Sequence, residues 1–441
     1  MVNIRKSLLQ FVFAGSYMKR WNDKLRPMEF IEADKQAHKM IVAWLLCRLN
    51  GHESPDASAA RPAYLPGYEP GYPENRLNLE LEVIERGMFD YFFRLVITDI
   101  KPPVYYRIKN DPEDYRQLTD WVLSELEPML RPLDESFWQR LEAYIRGPEK
   151  SDLAAQILAA AHNYASNWEL SILSSMNAFD PEMPHIEADF QRKLASGKHL
   201  AGMEELIGDA PVSPATTAQT SSTALGRFAK LCGQLRFQKR WSQTPRVPET
   251  SVMGHMFMVA CYAYFFSLAN GACKARRVNN FFCALFHDLP ELLTRDIISP
   301  VKKSSDSLGE LIRAYEDEEL ERRVFRPLLD EGHSDLVERL SYYLGSAVGS
   351  EFKECIRKNG VPTAVTFDDL QEMYNQDAFD PKDGKLLKAC DNLAAFIEAY
   401  TAMRNGISSD QLYQAIWRIR SENSKLVIGN VHVGSLLADF D

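Results

Sequence analysis

The stretch Ala284-Leu-Phe-His-Asp-Leu-Pro-Glu-Leu-Leu-Thr-Arg-Asp296 sets an imidazole and a carboxylate side by side, His287 and Asp288, in a run that otherwise reads as apolar helix. Burying such a pair uncompensated is costly, and a divalent cation is the charge that would compensate it. Glu291 follows Asp288 by three positions and His287 by four, so on a continuous helix all three share one face. The stretch therefore reads as part of a metal site built on a helix.

Working outward, the second half supplies two more candidate ligands. His255 opens one apolar run, and Asp391 sits in Lys388-Ala-Cys-Asp-Asn-Leu-Ala-Ala-Phe396. Apolar residues at i, i+3 and i+4, with few alternating β-branched stretches, predict helices over 252–268, 277–286, 308–329, 334–344 and 385–403. The predicted class is all-α. Ligands drawn from three helices of a bundle can converge only in its core. Two His and two Asp suit Mn, Fe, Co or Zn and leave coordination positions open, which points to catalysis rather than to a structural ion.

The chain has 441 residues. That length predicts two domains of about 200 residues, each with its own core. Lys+Arg 51 against Asp+Glu 61 gives a net charge of −10, which disfavours a stable complex with a nucleic-acid backbone. The seven cysteines are scattered, without a Cys-x-x-Cys pair, and read as buried thiols in a reducing compartment. The apolar run at the start is short and soon meets Lys19-Arg20-Trp21, and no apolar run approaches the ~20 residues that span a bilayer. A cytoplasmic protein without membrane association is expected.

Aligned with itself, the chain repeats short identities in the same order. Lys19-Arg20-Trp21 matches Lys239-Arg240-Trp241, and Glu32 with His38 matches Glu249 with His255. Thr98-Asp99-Ile100 answers Arg295-Asp296-Ile297, and His162-Asn163 answers Asp391-Asn392. The expected division is a degenerate first copy over 1–208, a linker rich in Ser, Thr, Ala and Pro over 209–224, and a catalytic copy over 225–441. Insertions fall at 51–78, read as a surface loop, and at 350–383, read as partly helical and partly polar. On this alignment the first half offers His38, Asp90, Tyr91 and His162, with Arg94 in place of Glu291, and hydrolysis is not expected there.

Arg240-Trp241, Glu249 six positions before His255, the run from His287-Asp288 through Glu291 and Asp296 to Pro300-Val301-Lys302, and the late Asp391 together resemble the HD-domain metal-dependent phosphohydrolases over roughly 225–405. Within that superfamily they are most similar to the bacterial 5'-deoxynucleotidase branch, which removes phosphate from deoxyribonucleoside 5'-monophosphates. The resemblance implies two HD-like helical bundles in tandem and a divalent ion (Mn, Co, Fe or Zn) held by His255, His287, Asp288 and Asp391. It implies that Glu291 orients or deprotonates the attacking water, and that Asp296 is a second catalytic acid near the nucleophile or the sugar. Arg240 would grip the phosphate of a small phosphorylated substrate, a nucleotide, with Trp241 against its sugar or base. Because that branch commonly forms dimers, the first copy is expected to act as a built-in second subunit, an intramolecular pseudo-dimer, with further homo-oligomerisation left open. The alternatives are a nucleotide-sensing regulatory protein, or hydrolysis of phosphodiesters or nucleoside triphosphates as elsewhere in the superfamily.

Overall fold

The sequence Val252–Ala269 contains no Asp, Glu, Lys or Arg, and a helix apolar on every side has to be enclosed. In the computed structural model, which describes residues 4–51, 74–208, 223–294 and 305–440, it is the central helix. It packs on Lys274–Phe286, on Gly384–Arg404 and, from the other half of the chain, on Glu32–Asn50. By length and composition it is apolar enough to cross a membrane, contrary to the sequence expectation that no run came close, yet 94% of it is buried inside the protein.

Helix makes up 69% of the structure, and the strands among the described residues form three two-stranded hairpins. The fold is all-α. The predicted helices are present, with one interruption. The run 308–329 divides into Asp306–Leu320, a wide π turn at Glu321–Phe325 and Arg326–Asp330, because Pro327 has no N–H to continue the ladder. The 350–383 insertion holds an antiparallel hairpin, Cys355–Lys358 with Val361–Ala364, that the sequence reading did not include. Of the 51–78 insertion, 52–73 lie outside the described residues, as do 209–222 of the expected linker. Thr223 ends that stretch by accepting from Gly226 N–H at 3.1 Å, which caps the helix Ala224–Gly233.

Instead of the two cores expected from length, one continuous cluster runs from Leu8 and Val12 through Trp44, Phe257 and Phe282 to Leu437. The close crossing of Glu32–Asn50 and Val252–Ala269 makes this possible. A Cβ at Gly254 would lie 2.6 Å from Asp34 Oδ1, so a larger residue would have to displace that buried carboxylate. Ser251 Oγ caps the central helix by accepting from Gly254 N–H at 2.9 Å, and donates in turn to Asp34 Oδ1 of the other half at 2.6 Å.

Burial lifts the Asp34 carboxyl from 3.8 to about 6, against the opposing pull of the Ser251 hydroxyl. Between those values the folded chain keeps a proton that the unfolded chain has released, so stability falls as pH rises through that window. The melting temperature of Asp34→Asn, measured relative to wild type, should therefore climb between about pH 4 and pH 6. An offset that stays constant with pH would refute this.

The leading helices also reach across between the halves. Lys6–Phe13 lies between them, with Tyr262 Oη donating to Leu9 O at 2.9 Å and Tyr91 Oη to Val12 O at 2.7 Å. Ala224–Gly233 lies on the first half, where His38 Nε2 meets Ala229 O at 3.0 Å. After each leading helix comes a tryptophan with positive φ, 57° at Trp21 and 58° at Trp241. Each indole Nε1 donates at 2.8 Å to a buried glutamate, Glu169 or Glu398 respectively. A non-glycine residue holds this backbone state only where its surroundings enforce it, and the same hydrogen bond enforces it twice.

Candidate metal centre

The helix Lys274–Phe286 stops where the His-Asp pair begins, with His287 as its C-cap. Pro290 has no N–H to bond the Phe286 carbonyl, which instead accepts from Leu289 N at 2.9 Å. Tight i to i+3 bonds follow, Glu291 N to Asp288 O at 3.0 Å and Leu293 N to Pro290 O at 2.9 Å. The continuous helix expected through His287, Asp288 and Glu291 is thus broken. Glu291 opens a separate short helix, Glu291–Thr294, and is buried.

The four expected ligands come together. Nε2 of His255 lies 3.1 Å from Asp391 Oδ1 and 3.9 Å from Asp288 Oδ2. Nε2 of His287 lies 3.2 Å from Asp288 Oδ2 and 3.9 Å from Asp391 Oδ1. The ligand atoms of His255, His287 and Asp288 lie close enough together for one ion, and Asp391 stands against the two imidazoles at the edge of that group. His287 Nε2 is buried without a hydrogen bond, while its Nδ1 is fixed on Ala284 O at 2.7 Å. That arrangement turns the Nε2 lone pair toward the cluster.

The electrostatics are those of a cation site. Burial would lower the His287 pKa, yet the Asp288 carboxylate and then Asp391 raise it to about 9. Burial would raise Asp391, yet Lys388, whose Nζ is 2.7 Å away, and the two imidazoles hold it well below the carboxylate range. The carboxylates favour positive charge at their centre, and a divalent ion is such a charge.

Arg240 reaches the rim of the cluster, with Nη1 3.5 Å from Asp288 Oδ2 and Nε 3.3 Å from Glu398 Oε2. Trp241 is half-buried, its indole on Glu398 and packed on a small cluster of Ala399, Ala402 and Leu412. The loop that carries both residues lines a half-open pocket of about 270 Å³ with Arg240, Trp241, Gln243, Thr244 and Arg246. Asp296, expected as the second catalytic acid, lies outside the described residues together with Pro300, Val301 and Lys302.

Sequence reasoning missed Glu398. It is buried, takes Arg240, Trp241 and the Thr250 hydroxyl (2.9 Å), and stands 3.5 Å behind His255 Nδ1, in ion-pair range. Burial would raise its pKa, but Arg240 and His255 hold it well below the usual range. A signal was present in the sequence. Glu398 follows Asp391 by the same interval at which Glu169 follows His162, so the self-alignment that found one pair contained the other.

In the first half, the expected counterparts do not form a ligand cluster among the described residues. His38 is spent on Ala229 O and on Arg236, whose Nη2 donates to Nδ1 at 3.0 Å. Tyr91 Oη donates to Val12 O at 2.7 Å, and Arg94 pairs with Asp99 at 2.9 Å. Another group, Glu205, Glu331 and His333, lies nearer the surface, and there Glu331 accepts from Ala224 N–H at 2.6 Å.

The extent of the ligand-bearing segment agrees with a comparison against protein families. Residues 232–419 match the HD-domain family model. HD domains are in general metal-dependent phosphohydrolases that bind divalent ions, and the match supports both properties for this segment. The matched span includes His255, His287, Asp288, Asp391 and Glu398. No curated protein and no solved structure shows significant similarity to the chain.

Proposed function

We propose that the HD domain is a phosphomonoesterase acting on nucleoside 5'-monophosphates, deoxynucleotides foremost, or on similar small phosphomonoesters, and that the first half is a degenerate copy folded against it as an intramolecular pseudo-dimer. The observation that carries the activity is the meeting of two imidazoles and two carboxylates at ligand spacing beside Arg240. The repeated Trp–Glu hydrogen bond and the leading helices that reach across between the halves support the pseudo-dimer.

A divalent ion bound by these four residues would polarise the phosphate and acidify water. The chain supplies the rest. Arg240 presents a planar, permanently charged group at the edge of the cluster, suited to phosphate oxygens. Glu398 fixes the direction of that guanidinium from behind. Glu291, held next to Asp288 by its own backbone N–H, is the group assigned to take a proton from the attacking water. The pocket beside Arg240 has room for a compact substrate.

The test is a screen of phosphorylated metabolites for phosphate release, run on the intact chain reconstituted in parallel with Mn, Co and Zn. Nucleoside 5'-monophosphates should be cleaved faster than nucleoside triphosphates or cyclic diesters. Reconstituted protein that releases phosphate from none of the monoesters would overturn the proposal.

A further inference from the structure

The backbone fixes how the two halves correspond more tightly than identities do. Lys19 pairs with Ile31 as Lys239 pairs with Ser251, and Glu32 N bonds Met18 O as Val252 N bonds Gln238 O, both at 2.9 Å. Glu32 therefore corresponds to Val252, and three residues on, Lys35 corresponds to His255. His38, matched to His255 by identity, lies about one helical turn too far along. At the other end, Glu169 and Glu398 hold equivalent tryptophans, which places His162 opposite Asp391.

In the second half His255 Nε2 meets Asp391 Oδ1 at 3.1 Å; in the first, Lys35 Nζ meets His162 Nδ1 at 2.9 Å. A lysine stem is longer than an imidazole, so its Nζ reaches where an ion bound to the imidazole would sit. One turn later, Lys39 Nζ takes Asp90 Oδ2 at 2.7 Å, and Asp90 is the residue matched to His287. Both lysines are buried, and Glu32 stands 3.7 Å from Lys35 Nζ. The atoms that could ligate an ion here, His162 Nδ1 and Asp90 Oδ2, are each spent on an amine.

We infer that the first half keeps the frame of a metal site in which the side-chain amines of Lys35 and Lys39 replace the ion, and that a ligating side chain at position 35 restores a binding site there. This rests on the tandem reading of the two halves. A buried lysine side chain needs no supply of metal and cannot be removed by a chelator, so this half would keep its packing when the other is stripped.

The experiment is Co2+ uptake by the full-length chain after chelation and dialysis, read by elemental analysis and by the visible absorption of bound cobalt. Lys35→His should take up one ion more than wild type, and Lys35→His with His162→Ala should lose that extra ion. Lys35→Glu, which also supplies a ligand, is the second variant in case the first fails to fold, with circular dichroism reporting the fold. A folded position-35 variant with the stoichiometry of wild type would overturn the inference, as would a wild-type ion lost on His162→Ala. If wild type takes up no cobalt while Lys35→His takes up one, the second-half site fails and this inference stands.

Discussion

Glu291→Gln is expected to lower phosphate release by about 10²–10⁴-fold, the scale of a lost general base, while Co2+ uptake stays at the wild-type level. The glutamine keeps the shape and burial of the side chain but cannot accept a proton at neutral pH. Glu291 is 6% exposed, and its N–H bonds the Asp288 carbonyl at 3.0 Å, so its backbone is tied to a ligand residue rather than placed by a flexible loop. The four groups that meet at ligand spacing are His255, His287, Asp288 and Asp391, and none is altered by this change. The measurement is kcat and KM on the best monophosphate of the screen, with cobalt stoichiometry on the same samples. A fall in kcat with uptake retained assigns Glu291 to the chemical step. Activity close to wild type would remove it from that role, and loss of cobalt together with activity would make it a positioning residue for the site.

The all-α class and the residues of the candidate site were legible in the sequence, while the crossing of the helices was not, and for a physical reason. Ligands for a buried ion are polar residues in apolar helices, and that conflict is visible in the primary structure. His255 in a helix without Asp, Glu, Lys or Arg, and the His287-Asp288 pair behind Ala284-Leu-Phe286, were legible for that reason. The single shared core was not, because it depends on which helices cross. Gly254 facing Asp34 permits that crossing, and nothing local to either residue announces the other. The break at Pro290 was in plain view, but the helical spacing of Glu291 from the dyad masked it. The first-half correspondence went to His38 because identity was followed, whereas backbone pairing selects Lys35, a residue that keeps the position while changing its chemistry.

Asp383→Ala is expected to destabilise the fold by about 3–5 kcal/mol, the cost of leaving a buried charge without its partner. Asp383 and Arg276 are both 0% exposed and joined by two bonds, 2.6 Å from Nε and 2.7 Å from Nη2. Asn280 adds a third bond to the same carboxylate at 2.7 Å and accepts from the Asp383 N–H at 2.9 Å. Arg276 and Asn280 lie on the helix that ends at His287, and Asp383 is the N-cap of the helix that carries Asp391 and Glu398. The pair therefore clamps together the two helices that carry candidate ligands, at the end of the insertion expected to be partly helical and partly polar. The loss should appear as a lower denaturant midpoint and, because the ligands ride on the loosened helices, as weaker cobalt binding. Arg276→Met with Asp383→Leu should recover most of the stability, since apolar pairs of similar volume replace buried ion pairs at little cost. If Asp383→Ala lies within ~1 kcal/mol of wild type, the ordinary range for a single substitution, the clamp is not what holds the two helices in register, and apolar packing in the shared core would have to do so alone.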